Sequence, residues 1–192
     1  MRYPVSMDTH GHGTGDRRHS AFTVLELLVT LAIASVLLLI AVPSFQQFTW
    51  RQHMRAAVGN LHNDLLLARS EAVFRHASVV ACPGDTQAGC ADSSDWSGGW
   101  IVFPDLNGDR QLQPGETVVR RGQVFEALTI SSSAGRSAVR FMPDGSAAGS
   151  NTTIGFCGRG GPPLARKLVI SNIGRIRRDA YPGIAATRCP SA

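Results

Sequence analysis

The chain has 192 residues, enough for one globular domain plus an appendage but too few for two full domains. Hydrophobic residues make up 43% of it, which suffices for a folded core. From Gly155 onward seven basic residues stand against one acid, Asp179, so the net charge of this tail, +6, exceeds the +5 of the whole chain. The basic excess therefore belongs to one end of the protein.

The first predicted element is an apolar helix near the N-terminus. Phe22 to Val42 is almost wholly apolar, and as a helix it would span about 30 Å, the thickness of a bilayer core. A polar, basic leader with Arg17 and Arg18 precedes it. A cleavable secretory signal is the alternative, but the run is longer than an h-region and no small-residue cleavage site follows it. The pattern therefore favours a membrane-spanning helix.

A lone carboxylate, Glu26, interrupts this apolar run and needs a partner, because a charge there costs a few kcal/mol on insertion. The stretch "AFTVLELLVTLAIASVLLLIAVPSF" resembles the class III leader and N-terminal helix of type IV pilins and type II secretion pseudopilins. The resemblance implies cleavage before Phe22 by prepilin peptidase, methylation of the new amine, and pairing of Glu26 with an N-terminal amine during assembly. It also makes Pro43 the helix-kinking proline. Ala21 stands before the cut, where the family nearly always has glycine.

The helix is predicted to continue as an amphipathic segment to about Arg75. Its apolar stripe recurs at three- and four-residue spacing and comprises Met54, Val58, Leu61, Leu65, Ala68 and Ala72. The charged residues are expected mostly off this stripe: Arg51, Arg55, Asp64, Arg69 and Arg75. Three histidines on the segment lack metal-ligand spacing and are interpreted as surface or interface residues: His53, His62 and His76.

From residue 77 the pattern changes to short runs of β-formers separated by turn residues. The runs are "ASVVAC", "GGWIVF", "ETVVRR", "LTISS", "SAVRFM", "TTIGFC", "RKLVIS" and "GRIRR". Their spacing predicts antiparallel sheets built from hairpins. The expected fold is α+β, with one long N-terminal helix packed on two small antiparallel sheets. The predicted divisions are a leader (1–21), a transmembrane helix (22–49), its amphipathic continuation (50–76) and a β-rich domain (77–192).

The four cysteines form no CxxC pair, and no histidine stands at zinc-finger spacing, so no zinc site is predicted. An even count in an exported chain suggests two disulfides, with three pairings open. We favour Cys82–Cys90, which closes a short loop, and Cys157–Cys189, which joins the basic tail to the body. Buried free thiols are the alternative.

The loop "DLNGDRQLQPGE" raises the possibility of a calcium site. Its oxygen-bearing side chains fall at positions one, three, five and twelve of a calcium-binding loop: Asp105, Asn107, Asp109 and Glu116. Position six is Arg110, where the sharp turn needs glycine, and β-runs flank the loop. Asn107-Gly108 is itself a hairpin signal, so a turn is the prediction.

The sequence predicts no enzyme and no cofactor. No glycine-rich phosphate loop follows a strand, and no nucleophile motif such as G-x-S-x-G occurs. Nothing in the pattern brings a base to a nucleophile.

The order of several segments resembles the FimT/GspH group of minor pilins and pseudopilins. These segments are "LARSEAVFR", "VVACP…GC…DWSGGWIVFPDLNGD…PGE", "VRFMPDGS" and a terminal "GRIRR". The match runs from Phe22 to Arg178, essentially the whole chain after the leader.

The stretch "SNIGRIRRD" concentrates arginine near the C-terminus. If 168–177 is extended, Arg175 and Arg177 share one face and Ile176 anchors the other. Two positions along a strand cover about 6.6–6.8 Å, comparable to the step between neighbouring phosphates of a nucleic-acid strand. Gly174 would permit a close backbone approach or an unusual φ. The alternative is a solvated face, or one that pairs with acids of a neighbouring pilin.

The G-R-x-R pattern resembles that of FimT-type minor pilins, which bind DNA during its uptake in natural transformation. The positions that match are Gly174, Arg175 and Arg177, while Arg178, Arg166 and Lys167 are added on charge alone. The implied partners are DNA, other pilins, prepilin peptidase and the inner membrane. The implied location is the inner membrane and then the extracellular pilus fibre. The alternative is a structural GspH-like pseudopilin of a type II secretion system, or a minor pilin that primes pilus assembly without binding DNA.

Overall fold

The computed structural model describes residues 23–125, 127–158 and 165–180 of the chain. The predicted cleavage position at Ala21 and Phe22, the side chain of Pro43 and the cysteine Cys189 lie outside the described part.

Helix α1 comprises Val24–Arg75. Thr23 caps its N-terminus, since its hydroxyl accepts a 3.2 Å hydrogen bond from the backbone N–H of Glu26. At the other end His76 takes a left-handed φ of 53°, which terminates the helix. Arg75 donates from Nε to the Glu71 carboxylate at 2.6 Å across the last turn.

The N-terminal part of α1 has the length and composition of a membrane span. Its most apolar window has a mean hydropathy of 2.7, and no residue of that window is buried inside the protein. Leucine, isoleucine and valine side chains are exposed along it. Exposure of so many apolar side chains distinguishes this part from the core helix of a globular domain.

The chain after residue 77 forms two antiparallel sheets. The first contains β1 (Val79–Asp85), β2 (Gly89–Cys90), β3 (Trp100–Pro104), β4 (Arg120–Arg121) and β6 (Val139–Phe141). Its order is β2-β1-β3-β4, with β6 also paired to β1. The second contains β5 (Leu128–Ser132), β7 (Thr152–Gly158), β8 (Arg166–Ile170) and β9 (Ile176–Ala180), in the order β5-β7-β8-β9. The α+β fold with two antiparallel sheets is confirmed, and each run of β-formers contains a strand.

Strand β2 was not among the predicted runs. It exists because the Cys82–Cys90 disulfide, with Cα atoms 5.5 Å apart, folds the chain back so that Gly84 pairs with Cys90. This is the pairing favoured from the short loop. Cys157 is also disulfide-bonded, and because Cys189 lies outside the described residues, the Cys157–Cys189 pairing stays a prediction.

One core cluster joins the helix to both sheets. All the residues of the predicted apolar stripe of α1 are buried in it, from Met54 to Ala72, together with Ala57. Strands contribute large side chains such as Trp100, Phe141 and Phe156. The amphipathic pattern therefore located the packing face of the helix correctly.

Two charged residues of α1 were wrongly placed away from that face. Asp64 is 4% exposed, and its carboxylate accepts hydrogen bonds from Trp100 Nε1 at 2.9 Å and Arg120 Nε at 2.7 Å. Arg69 is half-buried and donates from Nε to the Gly145 carbonyl at 2.9 Å. Each charge is tolerated inside because it has a hydrogen-bonding partner there.

Candidate functional site

The arginine-rich stretch lies on a hairpin whose first strand is held by the core. In β8, Leu168 and Ile170 are buried, and in the register of the hairpin they face Arg178 and Ile176 of β9. Ile176 is half-buried against the same core cluster. The hairpin is therefore anchored by apolar side chains on one face, and its arginines flank this anchor.

The backbone over 168–177 is not continuously extended, because a turn interrupts it. The Gly174 N–H donates to the Ser171 carbonyl at 2.9 Å, and the Ser171 N–H donates to the Arg175 carbonyl at 3.0 Å. Gly174 has a φ of +73°, in the left-handed region that follows a tight turn in three-residue hairpin loops. Arg175 thus stands at the exit of the turn, immediately before β9.

Gly174 is buried, and it fits where a larger residue would not. A Cβ built on it would overlap the Gly145 carbonyl oxygen and lie 3.1 Å from Arg69 Nε. The same carbonyl accepts the hydrogen bond from Arg69, and the Ala147 N–H donates to the Asn172 carbonyl at 2.8 Å beside it. Three segments singled out in the sequence, "LARSEA", "PDGS" and "GRIRR", therefore meet at one point. This junction fixes where β9 begins.

The outer face of the hairpin carries Arg177. It is paired across the strands with Val169, and Lys167 is paired with Asp179 on the same face. Arg177 and Arg175 are exposed on either side of Ile176. These two arginines are open to solvent at the end of the hairpin nearest the turn.

Arg178 faces the other way, toward helix α1. Its Nη2 lies 2.8 Å from His62 Nδ1. Partial burial, and then the nearby Arg178 charge, lower the pKa of His62 below its usual value. The imidazole is therefore neutral at pH 7, so Nδ1 accepts the hydrogen bond that the guanidinium donates.

A cavity of about 860 Å³, here called the α1–β9 groove, lies between the helix and this inner face. It is lined by Arg51, Met54, Arg55, Val58, Arg166, Arg178, Asp179 and Ala180. Arg166 donates from Nη1 to the Ala165 carbonyl at 2.8 Å. Four arginines thus line the groove, and the one acid among its described lining residues, Asp179, is paired with Lys167 in the hairpin.

The six residues predicted for an anionic ligand do not form one surface. Arg175 and Arg177 are exposed together, Lys167 lies opposite Asp179, Arg166 and Arg178 line the groove, and Gly174 is buried. The sequence did not single out Arg51 and Arg55 as ligand-binding residues. Their spacing of four residues on a helix was the available signal, because it puts both side chains on one face.

The acidic side chains of the loop between β3 and β4 accept hydrogen bonds from N–H groups of the same loop. Asp105 accepts from the Gly108 N–H at 2.8 Å, and Glu116 accepts from the N–H groups of Leu106 and Gln113 at 2.8 and 2.9 Å. Arg110 adopts a φ of 64°, so the requirement for glycine at position six does not hold. Within the described ranges, no three acidic, histidine or cysteine side chains are grouped as metal ligands.

Comparison with known proteins places this domain in a family. The family model for "Type II transport protein GspH" matches residues 57–174, and the model for the prokaryotic N-terminal methylation motif matches residues 16–42. Pilin-like protein PilA1 of Thermus thermophilus is 31% identical over 158 residues, which cover 81% of this chain and 88% of that protein.

The fold resembles the crystal structure of the type IV minor pilin FimU of Pseudomonas aeruginosa. The TM-score is 0.55 at 24% identity, covering 69% of this chain and 92% of that one. A second crystal form of FimU gives a TM-score of 0.52 at the same identity, covering 65% and 91%. The family match spans more than half of the chain, and the N-terminal motif precedes it. The chain therefore belongs to the GspH family of minor pilins and pseudopilins.

Proposed function

We propose that this minor pilin binds DNA without sequence preference through Arg175 and Arg177, for DNA uptake in natural transformation. The observation that carries the proposal is the pair of exposed guanidiniums directly after the Gly174 junction. Guanidinium groups form bidentate hydrogen bonds with phosphate oxygens. The buried junction holds the start of β9 in place, so the two arginines are presented by ordered backbone.

The chemistry of this surface favours the sugar-phosphate backbone over the bases. The residues from Ser171 to Ala180 include no aromatic side chain on which a base would stack. Binding should therefore be insensitive to sequence and should weaken as salt rises. Gly174 is buried, so its role in the proposal is to position the arginines, and it makes no contact with DNA.

Processing and location follow the pilin pattern in this proposal. Prepilin peptidase cleaves before Phe22, and Glu26 pairs with the methylated N-terminal amine of another subunit during assembly. The apolar part of α1 holds the chain in the inner membrane with its β-rich domain in the periplasm. Other pilins then incorporate it into a fibre outside the cell. Its role is structural and DNA-binding, with no catalysis.

A second function is favoured by one observation. The match to the GspH family model ends at Gly174, so the arginines that follow lie outside the matched residues. A subunit of a type II secretion system, or a minor pilin that primes assembly, needs the fold and the N-terminal helix but not Arg175 and Arg177. The two functions therefore differ in whether the isolated protein binds DNA.

Fluorescence anisotropy with a labelled duplex tests the proposal on the full-length chain in nonionic detergent. Each phosphate contact contributes about 0.9 to the slope of log affinity against log salt, so Arg175→Ala/Arg177→Ala should reduce the slope by about 1.8. Arg110→Gln/Arg121→Gln removes the same charge from exposed positions outside the hairpin and is the matched control. Unchanged binding by the hairpin double variant would refute the arginine assignment. Failure of the folded wild type to bind at low salt would favour the structural function.

A further inference from the structure

The α1–β9 groove carries positive charge that the proposed function leaves unused. Arg51, Arg55, Arg166 and Arg178 line it, and Asp179, which is paired with Lys167, is the single acid among the lining residues that the structure describes. The salt bridges between described residues are Arg75–Glu71 and Arg120–Asp64, and neither involves Arg51, Arg55 or Arg178. The groove is therefore a positively charged surface.

The arrangement of these arginines suits a chain of phosphates. Arg51 and Arg55 are four residues apart on α1, which places them on one face with an axial rise of about 6 Å. This rise is comparable to the step between neighbouring phosphates on one strand. Arg166 and Arg178 stand on the facing strands, so guanidiniums line both walls. A single carboxylate or phosphate would occupy only part of a cavity of about 860 Å³.

Strand β9 connects the groove to the proposed DNA contact. It is the last strand in the order of the second sheet, so it forms an edge of that sheet among the described residues. Arg177 lies on its outer face, and the next residue, Arg178, lies on its groove face. A polyanion that crosses this edge can therefore contact both faces.

We propose that the α1–β9 groove is a second phosphate-binding surface for the same DNA, continuous across the edge of β9 with Arg175 and Arg177. This inference rests on the proposed function and extends it, because it adds two residues of α1 to the binding surface. The sugar-phosphate backbone of one strand passes along the groove, between the helix wall with Arg51 and Arg55 and the strand wall with Arg178.

An acidic segment of a neighbouring pilin is the other class of partner that such a groove would attract. Protein interfaces usually contain a buried apolar centre, whereas DNA interfaces are polar and strongly positive. The two larger apolar residues of the groove offer little surface, since Met54 is 4% exposed and Val58 is 7% exposed. The four arginines of the groove, and its continuity with Arg175 and Arg177 across the edge of β9, favour DNA.

The test compares three double variants of the full-length chain in nonionic detergent, by anisotropy with a labelled duplex at several salt concentrations. Arg51→Gln/Arg55→Gln removes the positive charge on the helix side of the groove. Glutamine keeps the helix propensity of these exposed positions. If each arginine holds one phosphate, the salt slope should fall by about 1.8 relative to wild type. Arg175→Gln/Arg177→Gln should reduce it by the same amount, and Arg110→Gln/Arg121→Gln should leave it near the wild-type value. Thermal melting of each variant verifies that it is folded.

His62, which contacts the groove residue Arg178, provides a second measurement. Because its Nδ1 is 2.8 Å from Arg178 Nη2, its imidazole NMR signals should shift when a short duplex is added. The shift should be lost in the Arg51→Gln/Arg55→Gln variant at the same DNA concentration.

The outcomes separate the two proposals. If wild type binds no DNA, the proposed function fails and the groove inference fails with it. If wild type binds and only the hairpin variant is impaired, the groove inference alone is overturned. It is also overturned if Arg51→Gln/Arg55→Gln binds DNA normally yet fails to enter pili, since the groove is then a subunit contact. A reduced salt slope in both the hairpin and helix variants supports it.

Discussion

Substitution of Gly174 by alanine should destabilise the domain far more than the addition of one methyl group would suggest. The backbone at this position has a φ of +73°, and the left-handed conformation costs an L-residue about 1–2 kcal/mol. The new Cβ would also overlap the Gly145 carbonyl oxygen, a backbone atom that cannot rotate away. Overpacking of a well-packed site typically costs about 1–3 kcal/mol. The expected loss in the free energy of unfolding is therefore about 2–5 kcal/mol.

Gly135→Ala is the matched control for the backbone part of this loss. Gly135 has nearly the same φ, +72°, but nothing lies within 4 Å of the position its Cβ would take. It should therefore lose only about 1–2 kcal/mol. Urea unfolding of the full-length chain in detergent, followed by tryptophan fluorescence, measures both variants. Equal losses in the two would show that the close contact between Gly174 and Gly145 contributes nothing.

Three further predictions concern other parts of the domain. Asp64→Ala should lower the free energy of unfolding by about 1–3 kcal/mol in urea titrations, because Trp100 Nε1 loses its buried acceptor; wild-type stability would contradict this. Partial burial and the nearby Arg178 charge lower the pKa of His62 in the folded protein. The contribution of His62 to stability is therefore complete above the pKa of the unfolded chain, about 6.5, and is lost as the pH falls through the folded pKa. Thermal melts at several pH values should show a shallower acid loss for His62→Gln than for wild type, and parallel curves would exclude this role. Replacement of Cys82 and Cys90 by serine should cost about 2–3 kcal/mol in calorimetry, since the disulfide restricts the unfolded chain, and an unchanged transition would argue against it.

The fold was predictable from the sequence because its local patterns agree with one another. The apolar stripe of α1 matches the buried residues, and the change from helical spacing to short β-runs occurs where the helix ends, at Arg75. Burial of the charged side chains Asp64 and Arg69 was not predictable. Their partners, Trp100 with Arg120 and the Gly145 carbonyl, are distant in sequence.

The candidate site was only partly predictable for the same reason. The short pattern at Gly174, Arg175 and Arg177 is local, so it could be located in the sequence. Alternation along a strand does not reveal which of its faces meets the helix. Arg178 lies on that face and Arg177 on the opposite one, so their separate placement was not predictable. The contribution of Arg51 and Arg55 depends on tertiary contact between α1 and β9, which no spacing within either element specifies.

The junction at Gly174 separates the residue that places the hairpin from the residues that would touch a ligand. Gly174 is constrained by the Gly145 carbonyl and by Arg69, whereas Arg175 and Arg177 are exposed. Exposed substitutions usually change stability by no more than about 0.5 kcal/mol. Evolution could therefore gain or lose an anion-binding surface on this fold by exchanging two side chains. The same scaffold could then serve as a structural subunit in one fibre and as a DNA receptor in another.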